Sequence, residues 1–113
     1  MCEHYKTIIT PEAQQDVRQI VLYIAGELCA PGAALRLQDE FEKGIQSLER
    51  NPGRIIVLDE NPWGDLGIRK VRVRNYYVYF WIDDQRAAVW ITGVIYVGRD
   101  QVSQLEKKRL PDQ

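Results

Sequence analysis

Between Ile68 and Asp100 three runs of strand-forming residues follow one another with almost nothing between them. Ile68–Arg74 (I-R-K-V-R-V-R) leads into Tyr76–Ile82 (Y-Y-V-Y-F-W-I), and Ala87–Val97 follows the polar stretch Asp83-Asp84-Gln85-Arg86. β-branched and aromatic side chains suit a pleated chain, and connections this short join antiparallel strands. The stretch therefore predicts an antiparallel meander. In its first strand Arg69, Val71 and Val73 share one face, and Lys70, Arg72 and Arg74 the other. The second strand alternates Tyr76, Val78, Phe80 and Ile82 against Tyr77, Tyr79 and Trp81. The third is apolar on both faces, as expected of a central strand covered on both sides. Gly93 in its middle marks a bulge or a close backbone approach.

The residues before the meander set what packs on it. Tyr5–Thr10 reads as a short strand. Thr10 offers a hydroxyl cap, Pro11 suits the first helical position and Glu12 the positive helix end. Val17, Ile20, Val21, Ile24 and Leu28 then recur on one helical face, which predicts a helix from Pro11 to about Cys29, broken by Ala30-Pro31-Gly32. A second helix is expected from about Ala33, with Ala34, Leu37, Phe41, Ile45 and Leu48 as its stripe, ending at Asn51-Pro52-Gly53. Together they make an antiparallel helical hairpin. Residues 54–67 read as a loop with a brief apolar run, Ile55–Leu58, and with Trp63 seated on the sheet or the hairpin. Asp100 can cap a last short helix with a basic end, Lys107-Lys108-Arg109. The expected order is β-α-α-β-β-β-α in a single α+β domain over residues 1–113. The hairpin buries its stripe on one sheet face. The other face is expected to stay partly open and to carry function.

Charge is divided along the chain. Residues 1–66 carry 6 basic and 11 acidic side chains, and residues 67–113 carry 9 and 5. A basic, aromatic-laced sheet suits an anionic or amphipathic partner. The net charge of −1 gives little long-range attraction to a large nucleic acid. No apolar run approaches the roughly 20 residues of a membrane helix, and no membrane association is expected. Cys2 and Cys29 lack metal-ligand spacing, so no metal or cofactor is expected. Reduced thiols and the absence of a signal peptide predict a cytoplasmic location.

The order of elements and several of their words resemble the RelE/ParE superfamily of bacterial toxins from type II toxin–antitoxin systems, the plasmid-stabilisation type. T-P-E-A-Q-Q-D-V-R-Q-I-V-L-Y-I-A looks like that family's first helix. The stronger likeness is G-I-R-K-V-R-V-R-N-Y-Y-V-Y-F-W-I-D at Gly67–Asp83 and V-W-I-T-G-V-I-Y-V-G-R-D at Val89–Asp100. The resemblance spans nearly the whole chain. It implies a small curved antiparallel sheet packed against a helical hairpin, and a growth inhibitor held inactive by a cognate antitoxin. RelE-like members cut messenger RNA in the ribosome. ParE-like members inhibit DNA gyrase and are not themselves enzymes.

Metal-free RNA cleavage needs a base, cations for the extra phosphate charge, and an acid for the leaving oxygen. If the chain is RelE-like, Arg69, Arg72, Tyr96 and Arg99 are its catalytic candidates, with Lys70 as a further cation. If it acts by binding, Lys70, Arg72, Arg74, Tyr77 and Arg99 are candidates for contact with target or antitoxin. Several departures favour binding. Tyr77 stands where cleaving members often have arginine, and Tyr96 where many have histidine. The family's paired arginines are Gly98-Arg99 here, no tyrosine follows Val97, and His4 matches no catalytic position. The resemblance thus leans to a ParE-like gyrase inhibitor. The alternatives are a ribosome-dependent endonuclease and a non-toxic, antitoxin-binding module of the same fold. Plainer readings stand beside these: a solvated strand face for the basic run, core for Tyr76, Val78 and Phe80, buried anchors for Trp81 and Trp90, and packing at a helix end for Cys29.

Overall fold

The computed structural model describes residues 4–108. In chain order its main elements are β1 (Lys6–Ile9), α1 (Pro11–Leu22), α2 (Pro31–Gln46), β2 (Arg69–Val73), β3 (Tyr76–Asp83), β4 (Ala88–Tyr96) and α3 (Gln101–Leu105). The strands form one sheet in the order β1-β4-β3-β2. β1 runs parallel to β4, and the other pairs are antiparallel. The α+β architecture, the hairpin and the meander agree with the sequence reading.

Local chemistry explains the helix ends. Thr10 is extended, and its hydroxyl accepts the Ala13 N–H at 3.2 Å, with Pro11 in the first turn. The first helix departs from expectation past Leu22. Its hydrogen bonds widen into a π-helical turn over Tyr23–Glu27, where Leu28 N–H donates to the Tyr23 carbonyl and Ala30 N–H to that of Ile24. Cys29 then reverses the chain with a left-handed φ of 50°. Pro31 opens α2 instead of breaking the path. Its fixed φ suits a first helical position, where no N–H is needed. The turn between the helices is accordingly tighter than the sequence suggested.

The hairpin buries most of its stripe on one sheet face, but Leu28, expected on that stripe, follows the π-helical turn and stays 56% exposed. Ala13, Phe41, Ile45 and Leu48 meet Val73, Val78, Phe80, Val89, Ile91 and Val94 on that face, with Val17, Ile20, Leu37 and Val71 at the margins. Burial of apolar area on this face stabilises the fold by about 25 cal/mol per Å².

The opposite face is less open than expected. Leu58, Trp63 and Ile68 from the long loop, and Leu105 from α3, close over Tyr79 and Ile95 as a second core, with Tyr77 and Trp81 against it. The Ile55–Leu58 run forms only an isolated bridge, Val57 to Arg69, and not a strand. Trp81 and Trp90 are half-buried rather than fully buried, and they stack at 6.0 Å with planes 8° apart. Their cross-strand register puts the two indoles side by side.

β4 carries the irregularity foreseen at Gly93. Tyr79 pairs with Gly93 and Phe80 with Ile91, so Thr92 is the extra residue of a bulge. Gly93 is also a close approach, since a Cβ there would lie 2.9 Å from Cε of Lys108. β1 ends at Ile9, so β4 loses its neighbour beyond Ile91. Asp16 of α1 takes over: one carboxylate oxygen accepts the Val94 N–H at 3.0 Å and the Lys108 ammonium at 2.5 Å. A helix side chain thereby does the work of a strand edge and ties down the segment after α3. That last helix ends at Leu105, short of Lys107 and Lys108, and Arg109 lies outside the described residues.

Candidate functional site

Strand register gathers most of the candidate side chains at one end of the sheet. Val73 pairs with Tyr76, Arg72 with Tyr77, and Tyr76 with Tyr96. The Val97 N–H donates to the Asn75 carbonyl at 2.9 Å, which joins the β2–β3 turn to the end of β4. Arg72, Arg74, Tyr77, Tyr96 and Arg99 therefore belong to one end, with Arg72 and Tyr77 on the sheet face opposite Tyr76 and Tyr96. Arg69 does not. It pairs with Phe80 on the hairpin side, and its guanidinium donates to the Ile55 carbonyl, while its Nε is buried without a partner. Geometry makes Arg69 a tie between β2 and the long loop.

Each remaining cation is held differently. Lys70 lies with its ammonium 4.1 Å from the centre of the Tyr77 ring. Arg72 donates from Nε to the Arg74 carbonyl at 2.8 Å, which stiffens the hairpin turn. Arg74 is not on the strand face with Lys70 and Arg72, as alternation had suggested. It sits in the turn with φ 54°, a region costly for a residue with a Cβ, and its side chain reaches Glu40 of α2 at 3.8 Å. That long, exposed contact contributes little stability. Arg99 is exposed and makes no ion pair among the described residues.

Aromatic rings back this charge. Tyr76 stands edge-on between Phe41, at 5.4 Å, and Tyr96, at 5.7 Å. Burial, and then the neighbouring Tyr96, push the Tyr76 phenol above its ordinary range. Tyr96 is 48% exposed, and its ring folds back over Gly98, where a Cβ would lie only 2.5 Å from the ring. A groove of about 680 Å³ opens beside this end. Ile20, Tyr23, Ile24 and Leu28 form its hairpin wall, and Tyr76, Val94, Tyr96 and Arg99 its sheet wall.

Proton-transfer groups are scarce here. His4 is the only histidine in the chain. It bridges to Arg50 just before β1, whose start aligns with the start of β4 and hence with the far end of the sheet. Nearby carboxylates are engaged: Asp16 with Lys108 and Val94, Glu40 with Arg74, and Asp100 with Ser103. The Ser103 hydroxyl and backbone hold the Asp100 carboxyl below the usual range, as befits a helix cap. No cluster of metal-ligating side chains occurs among the described residues.

Sequence reasoning missed two members of this end. Asp16 looked like one more polar residue of α1, and Gln101 like the start of a short helix. Their roles depend on contacts 78 and 22 residues away in the chain, which no local pattern reveals.

Residues 7–101 match the family described as ParE toxin of type II toxin–antitoxin system, parDE. The chain belongs to that family. Its fold is similar to that of a chain in the chromosomal ParDE toxin–antitoxin system from P. aeruginosa, at 15% identity and a TM-score of 0.68 over 84% of this chain and 98% of that one. It is also similar to a chain of the toxin–antitoxin complex RelBE2 from Mycobacterium tuberculosis, at 24% identity and a TM-score of 0.55 over 82% and 98%. A third likeness is to the E. coli toxin RelE, solved in the free state with two arginines replaced, at 16% identity and a TM-score of 0.60 over 89% and 92%. A search of curated proteins finds no match. The chain is a type II toxin of the RelE/ParE fold, and no helix among the described residues is long and apolar enough to cross a membrane.

Proposed function

We propose that this toxin arrests growth as a ParE-like inhibitor of DNA gyrase, acting by binding rather than by catalysis, and that a cognate antitoxin neutralises it. The observation that carries this reading is the composition of the Tyr96–Arg99 end. It offers Arg72 and Arg99, which make no ion pair among the described residues, and the exposed Tyr96 ring, while the histidine lies at the opposite end of the sheet and the nearby carboxylates are engaged. Cations and rings without a positioned base suit recognition of a surface better than removal of a 2′-hydroxyl proton. Arg72, Arg99, Tyr77 and Tyr96 would make the contact with the target, with Lys70 packed behind Tyr77 and Arg74 at the turn.

The groove beside them suits an amphipathic antitoxin segment. Its hairpin wall is mainly apolar, with Asp16 and Gln19 as its polar members, and Arg99 on the sheet wall could receive a carboxylate. The exposure of Leu22, Tyr23, Leu28 and Leu35 at and beside the hairpin turn supports the same reading.

One arrangement favours RelE-like cleavage of messenger RNA on the ribosome instead. Tyr96 and Arg99 share an end and a groove wall and could hold a scissile phosphate beside a phenol, although Arg72 projects from the opposite sheet face. Pulse labelling after induced expression separates the two. An early stop in thymidine incorporation, with methionine incorporation continuing, is the result expected. An early and selective stop in methionine incorporation would overturn the gyrase reading. Normal growth with antitoxin binding intact would leave a non-toxic binding module.

A further inference from the structure

The loop that presents Tyr96 and Arg99 is short and solvent-exposed, and its conformation must be fixed by something. Gln101, the first residue of α3, supplies the means. Its side-chain amide donates to the Tyr96 carbonyl at 2.7 Å and to the Arg99 carbonyl at 2.9 Å. Its amide oxygen accepts the Tyr79 hydroxyl at 2.7 Å. Tyr79 is 1% exposed and lies within the second core, so the anchor is immobile. The loop's own bond, from Arg99 N–H to the Tyr96 carbonyl at 3.0 Å, closes the same turn. Both amide donors and the amide oxygen are thus engaged, which fixes the side-chain rotamer as well as the loop.

We propose that Gln101 is a positioning residue of the target-binding surface: through Tyr79 it clamps the Tyr96–Arg99 loop in the conformation that presents Tyr96 and Arg99. The proposal rests on the reading of that loop as part of the binding surface. The amide is needed because no other side chain of this length both donates to two carbonyls and accepts a phenol. Glutamate at this position keeps the length and the acceptor but sets a carboxylate against two carbonyl oxygens. Methionine keeps the length and removes all three bonds.

The test uses the full chain with Gln101→Glu, Gln101→Met, Arg99→Ala and Tyr96→Ala, singly, and with Gln101→Glu combined with Arg99→Ala. Amide hydrogen exchange and growth arrest at matched protein level are the readouts. In both Gln101 variants the Arg99 amide should exchange on the order of tenfold faster or more while the β4 amides stay protected, and potency should fall about tenfold. Adding Gln101→Glu to Arg99→Ala should cost less than Gln101→Glu costs alone, because only Tyr96 is then left for the clamp to position. Unchanged exchange at Arg99, or a loss that adds in full to that of Arg99→Ala, would overturn the clamp, since additive loss is the mark of general destabilisation. Potency lost in Arg99→Ala but kept in both Gln101 variants would overturn the clamp alone. Full potency in both Arg99→Ala and Tyr96→Ala would overturn the reading of the surface, and the proposal with it.

Discussion

The two ends of the sheet are built from similar residues and put to different use. At the β3–β4 turn, Arg86 donates to Asp83 at 3.0 Å, Asp84 accepts the Tyr5 hydroxyl at 2.8 Å, and Trp81 stacks on Trp90. Charges there have partners and the rings stack, although the Trp90 Nε1 is buried without a hydrogen-bond partner among the described residues. At the other end Arg99 has no ion pair, Arg72 spends one nitrogen on a turn carbonyl, and Tyr96 presents half its surface to solvent. Backbone strain does not tell the ends apart, for Ala87 at the first carries φ 50° and Arg74 at the second φ 54°. Satisfaction of charge does. An end whose polar groups already have partners stabilises the fold, and one whose groups lack them is available to another molecule.

The sharpest way to break that comparison is to remove what the two ends share. Phe41 is 2% exposed in the core beneath the sheet and also backs Tyr76. Phe41→Ala should cost about 3–5 kcal/mol in denaturant unfolding, through lost burial and a cavity. Potency should fall only as far as folded protein is lost. A variant that stays fully folded and loses all potency would show that Phe41 acts on the surface and not through the core.

Substitutions at the two ends should then separate stability from activity. Arg99→Ala and Arg72→Ala should each lower growth-arrest potency about tenfold or more, the scale of a lost charged contact at an interface, with little change in thermal midpoint. Arg86→Ala should do the reverse, keeping full potency and losing at most about 1 kcal/mol, because its guanidinium is largely exposed. Loss of potency in Arg86→Ala equal to that in Arg99→Ala would erase the distinction between the ends.

Free toxin offers a broader check on the same exposed surface. Leu22, Tyr23, Leu28 and Leu35 are between 56% and 65% exposed. Without antitoxin the chain should self-associate as concentration rises, and Leu22→Glu with Leu35→Glu should reduce this. A stable monomer at high concentration, seen by sedimentation, would mean that these side chains need no cover.

Elements with their own periodicity were legible in advance. Thr10-Pro11-Glu12 announced a helix start, the stripe Ala34-Leu37-Phe41-Ile45 named the buried face of α2, and the alternation in Tyr76–Ile82 assigned side chains to faces. What escaped was set by tertiary contact. Trp63 was expected on the sheet or the hairpin and does seat on the sheet, but Leu58 and Trp63 follow no helical or strand period, so their joining Ile68 and Leu105 in a second core was not legible. Arg74 obeyed the alternation on paper, but Asn75 leaves it in a tight turn that swings it toward α2. Asp16 and Gln101 bond to backbone that is remote in sequence or folded by the turn itself. The site was legible as a set of residue types and not as a place: Arg69 belonged to the pattern yet ties down the loop, and Gln101 lay outside the pattern yet holds the loop that matters.

Titration offers the finest test, because only the end that carries Tyr96 and Arg99 should also fail in alkali. The Arg86 side chain holds the Asp83 carboxyl below its usual range, against the desolvation that would raise it. A carboxylate so lowered contributes stability above its unfolded pKa, near about 4, and that contribution is lost as pH falls through the folded value. Burial raises the phenols of Tyr76 and Tyr79. Their neutral forms are favoured in the fold, so their contribution is present below the unfolded pKa, near about 10, and is lost as pH rises through the folded values. Acid should therefore loosen the β3–β4 turn and, through the lowered Asp100 carboxyl, the cap of α3, whereas alkali should act at the end that carries Tyr96 and Arg99. Asp83→Asn should flatten part of the acid limb of a stability–pH profile, leaving the share of Asp100, and spare the alkaline limb, while Tyr76→Phe should flatten part of the alkaline limb, leaving the share of Tyr79, and spare the acid limb. Hydrogen exchange at Arg86 and Arg99 across the same range would localise each loss. If both amides open together in alkali, the sheet responds to pH as one unit, and the difference between its ends is confined to the side chains they present.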